Sequence, residues 1–200
     1  MNKHFINIFL VFVLSSIAFY TGDLCFTAEG DIYDKEVSLV QKIQNFHVVS
    51  PNVMRGSQPS EEGFKLLKEY CNIKTVLSLR NNKESNEWEK DVVEKLGMKF
   101  INIPMSGTEE QSIKKIEQCL SLMHSESNQP IFIHCLAGKD RTGLILAAYR
   151  IKYGGWDISD ALREMFFYGY NPVCCFKLKE SLVKWDEWRK ANLKTPGRFR

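Results

Sequence analysis

Short apolar runs alternating with stretches of helical periodicity limit what this chain can fold into more than any other feature. "KTVLSL" (74–79), "KFINI" (99–103, ended by Pro104) and "IFIHC" (131–135) have the length and content of buried strands. Between them, Trp88, Val92 and Leu96 recur at helical spacing before a stop at Gly97, and Ile113, Ile116, Leu120 and Met123 form the next stripe. Two shorter runs, "FHVV" (46–49) and "VMRG" (53–56), flank a turn at Ser50 and Pro51. Ser60, followed by Glu61 and Glu62, reads as the N-cap of a helix whose Phe64, Leu67 and Tyr70 share a face. After the last strand, helical patterns predict elements at about 142–152, 158–168 and 176–190. The expected fold is α/β: a mostly parallel central sheet of about four to five strands flanked by helices on both faces. In such a sheet the ligand crevice lies outside the carboxyl ends of the strands, where Cys135 falls.

The loop that leaves this strand, in "IHCLAGKDRTGLI" (133–145), joins it to the next helix. Gly138 permits a tight backbone that turns its N–H groups inward, and a helix starting near Thr142 adds its positive end. Such a nest binds an oxyanion, and the same amides stabilise the thiolate of Cys135, making it a nucleophile. Arg141 presents a planar fork that holds two oxygens of a tetrahedral anion and stabilises the charge of an in-line transfer, which a lysine does less well. The pattern fits phosphate. It does not fit a nucleotide-binding P-loop, which needs glycine where the chain has Ile133 and Ser or Thr where it has Asp140.

The N-terminus differs in kind from the rest. "MNKHFINIFLVFVLSSIAFY" places Lys3 and His4 ahead of an apolar run from Phe5 to Tyr20, the layout of an export signal. The run is short against the roughly 20 apolar residues that span a bilayer. Residues 1–28 are therefore read as a signal peptide, with an uncleaved N-terminal anchor as the alternative, and residues 35–195 as the folded domain. Export implies a periplasmic or secreted protein, or one anchored in the membrane through its N-terminus. Cys25 follows Leu24, where a lipoprotein signal requires a small residue, so it is not read as a lipid attachment site. Of the six cysteines, Cys71 ends a helix and Cys119 sits on an apolar helix face, while the adjacent Cys174 and Cys175 have no assigned role. No C-x-x-C pair occurs, which argues against structural zinc. The formal net charge of +3 implies no nucleic-acid partner.

"HCLAGKDRTG" resembles the active-site signature of the cysteine-dependent protein tyrosine phosphatase superfamily. "MRGSQPS", "TVLSLR" and "GWDISDALREM" extend the likeness to small dual-specificity phosphatases, particularly exported bacterial ones, over roughly residues 45–190. The resemblance implies that Cys135 attacks phosphorus and forms a phosphocysteine intermediate. It implies that the amides of Leu136, Ala137, Gly138, Lys139, Asp140 and Arg141, with the Arg141 side chain, hold the phosphoryl oxygens. Thr142 would assist thiolate release, and His134 would orient the loop from beneath rather than act as a general base. No cofactor or metal is expected, since the arginine and amides supply the positive field. Members of this type normally carry a general-acid aspartate on the loop after the strand that here reads "FINIP". That loop continues "MSGTEEQ" with no aspartate, leaving Glu109, Glu110 and Asp140 as candidates. Arg55 and Arg80 follow strand-like segments and either line the pocket rim, with Glu109 and Glu110, or pair with acids.

The function implied is a phosphomonoester hydrolase acting on phosphoprotein, on phosphotyrosine and also phosphoserine or phosphothreonine. Lys139 in the loop makes a phosphoinositide or inositol phosphate the alternative substrate. Membrane contact is expected only if the N-terminal segment stays uncleaved. Readings from other classes are a phosphate-binding module without turnover and a rhodanese-like sulfur carrier. The intact Cys135 and Arg141 and the Arg-Thr-Gly ending of the loop argue against both.

Overall fold

In the computed structural model the described residues are 39–193, within one compact unit spanning residues 37–200. The segment read as a signal peptide lies outside them, as do the outermost residues of the expected domain and Cys25. Five strands form one sheet: β1 (His47–Ser50), β2 (Val53–Gly56), β3 (Thr75–Ser78), β4 (Lys99–Asn102) and β5 (Ile131–His134), in the order β1-β2-β5-β3-β4. β1 and β2 pair antiparallel across the turn at Pro51 and Asn52, with His47 opposite Arg55. All other neighbours are parallel, with Ile133 of β5 beside Arg55 on one side and Leu77 on the other. The sheet is thus mostly parallel, as the alternation predicts. β5 lies at its centre, so the chain leaving its carboxyl end emerges between β2 and β3.

The period of two sorts the strand residues into two cores. Val53, Leu77, Ile131 and Ile133 face one layer, and Met54, Val76 and Phe132 face the other. The second layer is built by α1 (Glu61–Cys71) and α2 (Lys83–Lys95) through Phe64, Leu67, Val92 and Val93. The first is built by α3 (Ile113–His124), α4 (Asp140–Gly154), α5 (Ile158–Phe167) and α6 (Phe176–Leu193). α4 packs against α3, α5 and α6 and buries an unbroken run from Thr142 to Ala148, which is why it lacks a polar face. Each Leu, Ile or Phe fully buried in these layers contributes about 1.5–3 kcal/mol.

Local signals set the helix ends. The Ser60 hydroxyl accepts the Gly63 amide at 3.2 Å, and α1 closes on Asn72 in the left-handed conformation (φ 48°). Gly97 takes a φ of +72° after α2, the stop expected of it. Two expected stripes are shifted. On α2 the buried face is Glu89, Val92 and Val93, whereas Trp88 is 44% exposed with its ring 6.3 Å from that of Phe64. On α1, Phe64 and Leu67 are buried but Tyr70 is 40% exposed, because six residues at about 100° each rotate it off the face of Phe64.

Candidate active site

Cys135 follows β5 directly and is 2% exposed, so its thiol lies at the floor of the loop rather than on its surface. The loop is shaped from outside. Three consecutive carbonyls are each bound by a group from the segment around β1 and β2: Leu136 by the Gln58 amide at 3.2 Å, Ala137 by the Asn45 side chain at 2.9 Å and Gly138 by Arg55 Nη2 at 2.5 Å. With the carbonyls held outward, the intervening N–H groups are left to the inside, which is the geometry of an anion cradle. Asn45 itself takes a left-handed φ of 55°, which asparagine tolerates, to present its amide. Gly138 has a φ of +68°, and a Cβ there would stand 2.4 Å from the backbone carbonyl of Gly56, so only glycine fits.

The helix after the loop begins at Asp140, two residues earlier than expected, which puts Arg141 in its first turn. No side chain caps this N-terminus, so its orphan amides add their positive end to the cradle. Arg141 Nη1 makes long contacts of 3.3–3.4 Å with the carbonyls of Met105 and Leu79 and with Asn81 Oδ1. These place the guanidinium across the carboxyl ends of β3 and β4 while leaving it weakly engaged. Thr142 is fully buried, and its hydroxyl has no hydrogen-bond partner among the described residues.

Beneath the loop lies a buried polar network. His134 Nδ1 is 3.0 Å from the Cys135 carbonyl, and Nε2 is 2.5 Å from Glu89 Oε1, with both side chains fully buried. Both ring nitrogens face oxygens, so the pair is satisfied when it holds two protons. Gln58 Nε2 donates to Glu89 Oε2 at 2.9 Å and to Ser85, while Arg80 Nη1 donates to Gln58 Oε1 and to Ser85 Oγ. His134 therefore links the Cys135 carbonyl to the polar network beneath the loop. Glu89, Gln58 and Asn45 escaped the sequence reading. A carboxylate on the apolar face of α2, three residues before Val92, was the available signal for Glu89.

Of the residues expected at a rim, Arg55 is buried instead. Arg55 is 1% exposed, since its alternation on β2 turns it inward rather than to a rim. Its guanidinium lies 4.0 Å from the centre of the Tyr168 ring, and its Nε and Nη1 have no partner among the described residues. Burial pushes it down to about 10, which still leaves a cation at neutral pH under the loop. Arg80 is drawn into the Gln58 network. Glu109 pairs with Lys177 at 2.7 Å and Glu110 with Lys184 at 2.6 Å, both lysines on α6. Asp140 Oδ1 accepts the Asn171 amide at 2.8 Å and so ties α4 to the segment between α5 and α6. Lys139 is exposed at the lip of the cradle, its stem packed over Gly169. Cys119, Cys135, Cys174 and Cys175 are free thiols, and burial pushes Cys119 up to about 12.

The chain is similar to several known proteins. Over 120 residues it is 30% identical to the inositol diphosphatase SIW14 of Saccharomyces cerevisiae, a match spanning 58% of this chain and 42% of that protein. It is 28% identical over 127 residues to the dual specificity protein phosphatase TpbA of Pseudomonas aeruginosa, covering 64% of this chain and 56% of the relative. The chain thus spans about half the length of these two relatives. The crystal structure of the core catalytic domain of the S. cerevisiae PP-IP phosphatase SIW14 in complex with citrate superposes with a TM-score of 0.64 at 27% identity, covering 76% of this chain and 93% of that one. Residues 40–173, from ahead of β1 to beyond the catalytic loop, match a single family. On that match, which takes in the cradle and the groups that shape it, the chain belongs to the tyrosine phosphatase family.

Proposed function

We propose that the chain hydrolyses phosphomonoesters through a phosphocysteine intermediate, with phosphoprotein, and phosphotyrosine first, as its substrate. The observation that carries this is the cradle: a buried Cys135 at the floor of a loop whose carbonyls are held outward by Gln58, Asn45 and Arg55. In this reading the Cys135 sulfur attacks phosphorus while the bond to the leaving oxygen breaks. The cradle amides and Arg141 hold the other three oxygens as charge develops on them. Water then attacks phosphorus, and the sulfur departs as thiolate toward the Thr142 hydroxyl.

The leaving oxygen needs a proton or must tolerate its charge. Glu109, Glu110 and Asp140 are each engaged by other groups, so protonation comes from solvent. That favours leaving groups of low pKa. A tyrosine phenol, near about 10, leaves far more readily than an aliphatic hydroxyl, whose value lies close to that of water at about 15.7. This supports phosphotyrosine over phosphoserine or phosphothreonine. A second reading, an inositol phosphate or phosphoinositide substrate, is supported by the exposed Lys139 beside the cradle and by the likeness to SIW14. We also propose that residues 1–28 direct export, leaving the domain in the periplasm or outside the cell, or tethered by an uncleaved anchor.

The test is phosphate release from an aryl phosphate by the reduced full chain beside its Cys135→Ser variant. Turnover by the parent alone supports the reading. A folded, reduced parent with no turnover overturns it and leaves a phosphate-binding module or, if thiosulfate is consumed, a sulfur carrier.

A further inference from the structure

Residues 166–176, "FFYGYNPVCCF", contain no charged side chain in a chain that is 26% charged. The segment joins α5 to α6 and exposes most of its apolar content: Phe167 is 81% exposed, Val173 87%, Phe176 49% and Phe166 45%. It is nevertheless built, not loose. Tyr170 and Cys175 are buried beneath it, with the Tyr170 hydroxyl donating to the Cys175 carbonyl at 2.9 Å, and Asn171 Oδ1 accepts the Val173 amide at 2.9 Å. The same segment touches the catalytic loop, through the Asn171 amide on Asp140 and the Lys139 stem over Gly169. On that loop Leu136 is itself 56% exposed.

We propose that residues 166–176, together with Leu136, form a crest that docks the catalytic-loop side of the molecule onto an anionic phospholipid bilayer. Exposed apolar clusters of this kind mark association surfaces. Three observations select a bilayer. Side chains more than four-fifths exposed suit a fluid acyl layer that closes round each of them, whereas a folded partner has to supply a pocket for each. The crest is rich in Phe and Tyr, which favour the membrane interface, and the exposed Lys139 and Lys179 flank it as cations that meet anionic headgroups. Where the apolar run of residues 5–20 stays uncleaved, it tethers the same chain, and the crest then supplies the second of the two weak signals that stable surface binding requires. Docking itself needs no turnover. It rests on the phosphatase reading only in that a headgroup phosphomonoester would then lie beside Cys135.

The experiment compares the full-length parent with its Phe167→Trp variant on vesicles of phosphatidylglycerol and phosphatidylcholine whose acyl chains carry bromine. The parent holds four tryptophans, so the readout is the excess quenching contributed by the introduced one. Docking predicts a clear excess, and it predicts that adding Val173→Asp weakens vesicle-dependent quenching by about tenfold in lipid concentration while soluble aryl phosphate turnover stays within about twofold. Excess quenching without turnover would uphold the crest and sink the phosphatase reading alone. Failure of the chains to sediment with the vesicles, or sedimentation without excess quenching, would overturn the crest. So would a concentration-dependent blue shift of the introduced tryptophan without vesicles, which would assign the surface to a second copy of this chain.

Discussion

The loop that carries Cys135 and the loop that follows β4 lie at the same end of the sheet, and they are held in opposite ways. The first is gripped by groups that are buried or half-buried: Asn45, Arg55 and Gln58 from outside and His134 with Glu89 from beneath. The second has one buried anchor, the Gln111 amide donating to Ser181 Oγ of α6 at 2.9 Å, beside an internal latch in which Gln111 donates to the carbonyls of Ser106 and Glu109, and its two carboxylates reach α6 only through surface ion pairs. Leaving a buried hydrogen-bonding group without its partner costs about 1–3 kcal/mol, whereas exposed ion pairs contribute about 0–1 kcal/mol. The loop that carries the nucleophile is therefore held by buried bonds, while the side chains of Glu109 and Glu110 are held only by exposed ion pairs.

The sharpest way to test the fixed side is Cys135→Ser, which is expected to abolish aryl phosphate turnover. Arg141→Lys is expected to lower kcat by about 10²–10³, since an ammonium cannot span two phosphoryl oxygens. Retained turnover in either would remove the cradle from the chemistry. Gly138→Ala comes next: its Cβ meets Gly56 at 2.4 Å and its φ is +68°, so the loop must move and turnover should fall with it. Crystals of this variant showing the loop unmoved would break the argument that outside contacts shape it.

Glu89→Ala leaves buried His134 Nε2 without its partner, which is expected to cost about 1–3 kcal/mol in a denaturant titration. A loss below about 1 kcal/mol would place the His134–Glu89 pair among the dispensable contacts. On the lightly held side, Glu109→Gln and Glu110→Gln should leave thermal stability unchanged and aryl phosphate turnover within about tenfold. A fall of about 10²–10⁴ for one of them would show that its carboxylate leaves its lysine and serves as the general acid, reversing the comparison.

The smallest effect concerns His47, whose ring lies 4.4 Å from that of Tyr168, itself under Arg55. Burial, then the Arg55 charge, holds His47 below its usual value of 6.5. The unfolded chain takes up a proton that the folded one refuses, so stability is lost as the pH falls through 6.5 and recovers above it. In thermal melts across this range, His47→Gln should flatten the slope slightly. An unchanged slope would show that His47 takes up its proton alike in the folded and unfolded chain.

The contrast between loops also marks what could be read from the chain. The place of the cradle was legible because Cys135, Gly138 and Arg141 stand close together in one short loop flanked by a strand and a helix whose signals are local. The two cores were legible in outline for the same reason, although the stripe on α2 was placed one residue off because Trp88 outweighed the unexpected Glu89. Arg55 was not legible as a buried residue, because its place on a strand does not by itself tell which face of the sheet its side chain takes.

By itself, then, the sequence determined the α/β alternation and the order of nucleophile, glycine and arginine, because periodicity and loop geometry act over a few residues. Only the tertiary structure decided what holds them. Glu89 precedes His134 by 45 positions, Arg55 precedes Gly138 by 83 and Asn45 precedes Ala137 by 92. Such partners meet only once the parallel sheet has set β5 between β2 and β3, and no local pattern encodes that order. The pairing of Glu109 and Glu110 with α6 was decided in the same way, by helices that pack across a core rather than follow one another in the chain.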